Sequence, residues 1–195
     1  MIPDGAPVHN RGPVQQISGG RWVYPLDMRP EDIHIEDIAA SLSKLCRYIG
    51  HTIGSGSYSV AQHSVIVSRI VPDEHRLWAL LHDGSEAFIG PFDVARPTKK
   101  CLAILAGFDV VRLLEEPVQW AIAKRFRLPW PMPACIHEAD LVVAATERRD
   151  VLHPSALDWG PMPAPLPTRI IPMRPAVARC AFMLRFRKLM RERGK

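Results

Sequence analysis

Three apolar runs in this chain are each interrupted by side chains that can bind a metal ion. His82 and Asp83 are adjacent and follow directly on the stretch Leu77 to Leu81. His63 sits within Val60-Ala61-Gln62-His63-Ser64-Val65, and Asp140 within Ala139-Asp140-Leu141-Val142-Val143-Ala144. Any one of the eight histidines, taken alone, reads as an ordinary surface or core residue. The setting separates these, because a polar or charged group in a buried stretch is costly unless it is paired or coordinated. Two imidazoles and two carboxylates suit a first-row divalent ion or Mg²⁺, depending on how many waters complete the shell. Such a set leaves room for water, and an open site is the catalytic kind. A bound ion lowers the pKa of that water and polarises a phosphoryl oxygen.

The elements that must hold these groups read as helices. Ile35, Ile38, Ala39, Leu42, Leu45, Cys46 and Ile49 recur at three- and four-residue steps and predict a first helix. The Gly-Ser segment 54–57 separates it from a second, marked by Val60, Ala61, Ser64, Val65, Val67 and Ser68. Pro72-Asp73-Glu74 has the composition of a helix start, and the third helix carries Leu77, Trp78, Leu80, Leu81, Ser85 and Phe88 up to Gly90-Pro91. Helical periodicity resumes from Leu102 to Phe126, interrupted near Gly107 and kinked or broken at Pro117. A fifth helix spans Ala134 to Leu152. A last one, Ala176 to Arg193, has Val177, Cys180, Ala181, Leu184 and Leu189 as its expected apolar face. Alternating runs are scarce, so the expected class is all-α. The expected organisation is an irregular arm over 1–34 with room for a short strand, a helical core over 35–152, and a proline-rich connector with a C-terminal helix over 153–195.

At 195 residues the chain is long enough for one well-buried core and short for two. It has no apolar stretch of the ~20 residues a spanning helix needs, and residues 1–21 lack the apolar run of a signal peptide. The four cysteines show no CxxC pairing, and three lie beside apolar neighbours, which suggests buried thiols in a reducing cytoplasm. Tyr58, Trp22 and Trp78 are expected in the core. The net charge of +5 arises largely from a basic cluster between Arg185 and Lys195. Such a cluster is either a solvated helix face or a nucleic-acid contact. No aromatic stacking platform accompanies it, which argues against nucleic acid.

The strings Tyr58-Ser59-Val60-Ala61-Gln62-His63-Ser64, Leu80-Leu81-His82-Asp83-Gly84-Ser85-Glu86-Ala87 and Glu138-Ala139-Asp140 resemble the three signature segments of the HD-domain phosphohydrolases. They are most similar to the small branch that includes bacterial 5′-deoxynucleotidases and phage-type deoxynucleotide phosphohydrolases. The likeness extends upstream through Ile35-Glu36-Asp37-Ile38-Ala39 and Cys46-Arg47-Tyr48-Ile49-Gly50-His51-Thr52, and covers roughly residues 20–152. It implies a single HD-type helical domain with one divalent ion (Mn, Co, Zn, Fe, Ni or Mg) on His63, His82, Asp83 and Asp140.

Carried over residue by residue, the resemblance makes Glu86 the catalytic glutamate, orienting or deprotonating the attacking water. Arg47 falls on the phosphate side, where a guanidinium can grip phosphate in bidentate fashion. Tyr48 and Ile49 fall near the base or sugar, and His51 takes a supporting or substrate-binding place. After Gly90 this chain departs from the family pattern by two extra residues, Pro91 and Phe92. Allowing for them, Asp93 aligns with a second catalytic carboxylate and Lys99 with a phosphate-side lysine. Glu147, two turns beyond Asp140, either contacts a ligand or pairs with an arginine. The expected function is metal-dependent hydrolysis of nucleotides, deoxynucleoside mono- or triphosphates. The alternative is a nucleotide-binding regulatory module without turnover. By analogy the protein is a cytoplasmic homo-oligomer, dimer or hexamer, with a small-molecule nucleotide partner and no membrane.

Overall fold

The computed structural model describes residues 8–54, 56–90, 96–156 and 159–194. Among them the chain is all-α, with only two small antiparallel strand pairs in the N-terminal arm. There β1 (Val8–His9) pairs with β2 (Gly12–Pro13), and β3 (Gln15–Gln16) with β4 (Trp22–Val23). The arm is pinned by ion pairs, Arg21 to Asp37 and Arg11 to Asp27 and Asp32. Val23 is buried beneath it, whereas Trp22, expected in the core, is exposed. Strand alternation explains the difference, because neighbouring residues point to opposite faces.

Helix α1 (Ile35–Leu42) opens with Glu36 and Asp37 at its positive end and buries Ile35, Ile38, Ala39 and Leu42 along one stripe. The apolar periodicity continues to Ile49, but the helix does not. Beyond Ser43 the backbone turns to pair with 58–60: Arg47 donates to the Tyr58 carbonyl at 2.8 Å, Val60 donates to Leu45 at 2.9 Å, and Cys46 bridges Ser59. Tyr48 and Ile49 then take left-handed conformations, φ 55° and 54°.

Helix α2 (Val60–Ile70) is capped by Ser59, whose Oγ accepts from the Gln62 amide, and it lies at the centre of the bundle. Helix α3 (Arg76–Leu81) follows a short 3-10 turn and is continued by α4 (Glu86–Ile89). Between them His82 to Ser85 form tight turns closed by three-residue hydrogen bonds, Gly84 to Leu81 at 2.8 Å and Glu86 to Asp83 at 3.1 Å. Gly84 is required there: a Cβ would stand 2.9 Å from Ile122 Cδ1 and 2.9 Å from the Leu81 carbonyl. Helices α5 (Arg96–Ala106) and α6 (Val110–Arg125) meet at Gly107, and α6 continues through Pro117 rather than ending there. Helix α7 (Ala134–Asp150) and helix α8 (Pro175–Arg193) complete the bundle, α8 packing on α1, α2 and α3.

The connector before α8 lies along α7 and α2, tied by side chains to its backbone. Thr146 accepts from Leu166, Asp150 accepts from Ile170, and Gln62 both donates to Ile171 and accepts from Met173, at 2.7–2.8 Å. The basic end of α8 does similar work. Arg185 donates to Ser68 Oγ and Ser68 O at the end of α2, and Arg193 donates to the carbonyls of Phe126 and Arg127 after α6. Cations placed on the last carbonyls of a helix satisfy acceptors that the helix leaves open.

The buried stripe of α8 keeps Leu189 from the expected face but otherwise differs from it. Ala178, Phe182, Phe186 and Leu189 are buried, while Val177, Cys180 and Leu184 are exposed. Two phenylalanines carry more apolar area than Val, Cys and Ala, and the helix turns that face inward. The thiols also differ from expectation, Cys101 and Cys180 being exposed and Cys46 and Cys135 half-buried. No described helix is long and apolar enough to cross a membrane. Phe182→Ala should lower unfolding stability by about 3–5 kcal/mol, and Leu184→Ala by no more than about 0.5 kcal/mol. Urea unfolding of the two variants checks this, and the reverse ranking would restore the other face.

Candidate metal centre

Three parts of the fold bring titratable side chains to one point inside the bundle. Helix α2 delivers His63 one turn from its start, the α3–α4 junction delivers His82 and Asp83, and α7 delivers Asp140. His63 Nε2 lies 3.3 Å from His82 Nε2, 3.2 Å from Asp140 Oδ1 and 3.6 Å from Asp83 Oδ2. His82 Nε2 lies 3.3 Å from Asp83 Oδ1. Ligand atoms of His63, His82 and Asp83 all fall within 4.8 Å of one another, a buried group that can hold a metal ion.

The donor set fits that role on three counts. First, both imidazoles have their Nδ1 atoms engaged by acceptors, His63 on Glu147 Oε1 at 2.6 Å and His82 on the Ala79 carbonyl at 2.8 Å. With Nδ1 held by an acceptor, Nε2 is the nitrogen turned toward the shared centre, the arrangement found behind metal-ligating histidines. Second, two nitrogens that share an ion at about 2.1 Å stand roughly 3.0–3.4 Å apart, and these nitrogens meet that condition. Third, Asp83 Oδ2 is buried with no hydrogen-bond partner among the described residues. A carboxylate oxygen in that state calls for a cation.

No protein-family model matches the chain. It is 37% identical over 179 residues to the uncharacterized protein YfdR of Escherichia coli K12, an alignment covering 90% of this chain and 94% of that protein. It is also 34% identical over 194 residues to an uncharacterized protein of Rhodobacter capsulatus, covering 91% of this chain and 95% of that protein. The chain belongs to the YfdR family. The likeness covers about nine-tenths of this chain and of each relative.

The other residues singled out in the sequence are distributed around this point. Glu86 is half-buried at the start of α4, three residues beyond Asp83. Arg47 and Tyr48 lie in the turn after α1, and both reach Glu147 Oε2, at 3.2 Å and 2.6 Å. Ile49 and His51, in the same turn, are exposed. Lys99 falls in α5, and Asp93 lies outside the described residues. Glu147 resolves as the partner of an arginine and of more besides, since His63 and Tyr58 share its other oxygen. Its sequence signal is its position seven residues after Asp140, which keeps it on the same face of α7.

Charge at the site is balanced by these contacts. Burial opposes the charge on Arg47, and Glu147 and Asp83 more than restore it, so the guanidinium stays protonated. Burial favours neutral Glu147, yet His63 and Arg47 hold its pKa down to about 2. Burial likewise favours neutral Asp140, and the hydrogen bond and charge of His63 hold it well below the usual carboxylate range. Burial and Arg47 push the His63 imidazolium toward the neutral form, while Glu147 and Asp140 outweigh them and lift its pKa to about 9. Burial and Glu147 raise the Tyr58 phenol, which therefore remains a donor.

Between its ordinary pKa of 6.5 and about 9, the folded chain thus holds a His63 proton that the unfolded chain releases. Stability of the metal-free protein should be fully present below pH 6.5, fall as pH rises, and level off above about 9. Urea midpoints in a chelating buffer across this range check it. A flat profile, or a slope that survives in His63→Gln, would contradict the assignment.

Proposed function

We propose that this chain is a metal-dependent phosphohydrolase acting on nucleotides, with one divalent ion held by His63, His82, Asp83 and Asp140. The single observation that carries the reading is the gathering of His63 Nε2, His82 Nε2 and Asp83 within 4.8 Å of one another, with Asp140 3.2 Å from His63 Nε2 and both Nδ1 atoms held by acceptors. When bound, a divalent ion there supplies a Lewis acid for a phosphoryl oxygen and makes hydroxide accessible near neutral pH. The sequence likeness to deoxynucleotide phosphohydrolases points to deoxynucleoside mono- or triphosphates as substrates and to a homo-oligomer, and the scattered cysteines point to the cytoplasm.

The remaining steps fall to the chain's own groups. Glu86, one turn beyond the His82-Asp83 pair, takes the proton of the attacking water or orients its lone pair toward phosphorus. Arg47 offers charge to the phosphoryl oxygens. Its Nη2 is held by Glu147, while its Nε is buried with no hydrogen-bond partner among the described residues. A guanidinium anchored on one nitrogen is pre-aimed, so little side-chain freedom is lost when an anion arrives. Charge that accumulates on the phosphoryl oxygens as the bond to the leaving group breaks is thereby met by fixed donors rather than by water. Ile49 and His51, exposed on the same turn, offer an apolar and a polar contact to the base or sugar.

The decisive measurement is phosphate release from a panel of mono-, di- and triphosphates, ribo and deoxy, with Mn²⁺ or Co²⁺ added. Asp83→Ala should abolish both metal binding and release. Glu86→Ala should retain the metal and lose about 10²–10⁴ in rate, the usual worth of general acid–base catalysis. Absence of release from every nucleotide by the metal-loaded wild type would refute the hydrolase reading.

A further inference from the structure

Glu147 is fully buried, and each of its oxygens serves a different part of the fold. Oε1 accepts from His63 Nδ1 at 2.6 Å and from the Tyr58 hydroxyl at 2.8 Å. Oε2 accepts from the Tyr48 hydroxyl at 2.6 Å and from Arg47 Nη2 at 3.2 Å. The first pair stands behind an imidazole whose other nitrogen faces the candidate ion. The second pair belongs to the turn after α1, where Tyr48 and Ile49 adopt left-handed φ angles of 55° and 54°. Consecutive non-glycine residues persist in that region only when their surroundings hold them there, and for β-branched Ile49 the requirement is sharper. The Tyr48–Glu147 bond is such a hold.

We infer that Glu147 is a positioning residue that serves the two sides of the site through separate oxygens. Through Oε1 it fixes the His63 ring with Nε2 toward the ion, and through Oε2 it holds the Arg47–Tyr48 turn in the shape that meets a phosphate. The inference rests on the metal-phosphohydrolase reading above. Among the described residues Glu147 alone accepts from both His63 and Arg47. An amide has a single acceptor oxygen, so Glu147→Gln must set an NH₂ group against one pair of donors, whichever way it is turned.

The test uses the full chain with two probes, Co²⁺ alone and inorganic phosphate at saturating Co²⁺, each titrated by calorimetry. Tyr58→Phe removes a bond to Oε1, and Tyr48→Phe a bond to Oε2. Tyr58→Phe is expected to weaken Co²⁺ severalfold and to shift the visible absorption of bound Co²⁺, leaving phosphate affinity within about twofold of wild type. Tyr48→Phe is expected to do the reverse, weakening phosphate severalfold and leaving the Co²⁺ spectrum unchanged. Glu147→Gln should lose both, with Co²⁺ affinity down by about 10- to 100-fold. The half-exposed position of Tyr48 keeps its variant informative if Glu147→Gln does not fold. Folded tyrosine variants that lose thermal stability alone, or that weaken both probes equally, overturn the division of labour. Wild-type protein that binds no Co²⁺ overturns the metal reading itself, whereas wild-type binding with unmoved variants removes only the role given to Glu147.

Discussion

A carboxylate taken fully out of water loses hydration worth several kcal/mol, and only cations and donors placed around it can replace that loss. Glu147 is in that position, and the four groups that answer it, Arg47, Tyr48, Tyr58 and His63, come from three separate segments of the chain. None of those segments can shift without uncovering the charge. The orientation of His63, the bend after α1 and the strand-like run into α2 are therefore one constraint seen from three sides. The same buried charges bear on protonation, since Glu147 and Asp140 lift the pKa of His63 to about 9.

Helix breaks supply the candidate site with its reach. His82 and Asp83 sit where α3 tightens into three-residue turns before α4 begins, and Arg47, Tyr48 and Ile49 sit where the periodicity of α1 runs on but the helix has ended. A continuous helix would spread its side chains at fixed angular steps of about 100°. Tight turns let adjacent residues converge, as the His82 ring and the Asp83 carboxylate do across 3.3 Å. Gly84 makes this possible by letting Ile122 of α6 approach without a Cβ in the way.

The C-terminal helix supports the site through α2. Its phenylalanines are buried where it packs on α1, α2 and α3, and its arginines close the open carbonyl ends of α2 and α6. Part of the basic charge near the C-terminus is thus structural. Those guanidiniums are engaged with backbone oxygens of the bundle, which is a different use of positive charge from a surface stripe for nucleic acid.

Local pattern was enough to establish several things about this protein. Apolar spacing determined the all-α class and the location of α2 and α7, because a 3.6-residue period is imposed by backbone geometry alone. Residue chemistry and setting drew attention to His63, His82, Asp83 and Asp140; the structure gathers the first three into one group and sets Asp140 3.2 Å from His63. What local pattern could not decide depends on partners distant in sequence. Periodicity carried α1 past its end, since the pairing of 45–47 with 58–60 that stops it is a tertiary contact. It placed Leu189 rightly on the buried face of α8 but missed Ala178, Phe182 and Phe186, since which stripe is buried depends on the volume of the groove that receives it. It left Glu147 between two roles, because the donors that satisfy its oxygens lie 84 to 100 residues away along the chain. A carboxylate's identity is written in the sequence; what neutralises it is decided only when the chain has closed around it.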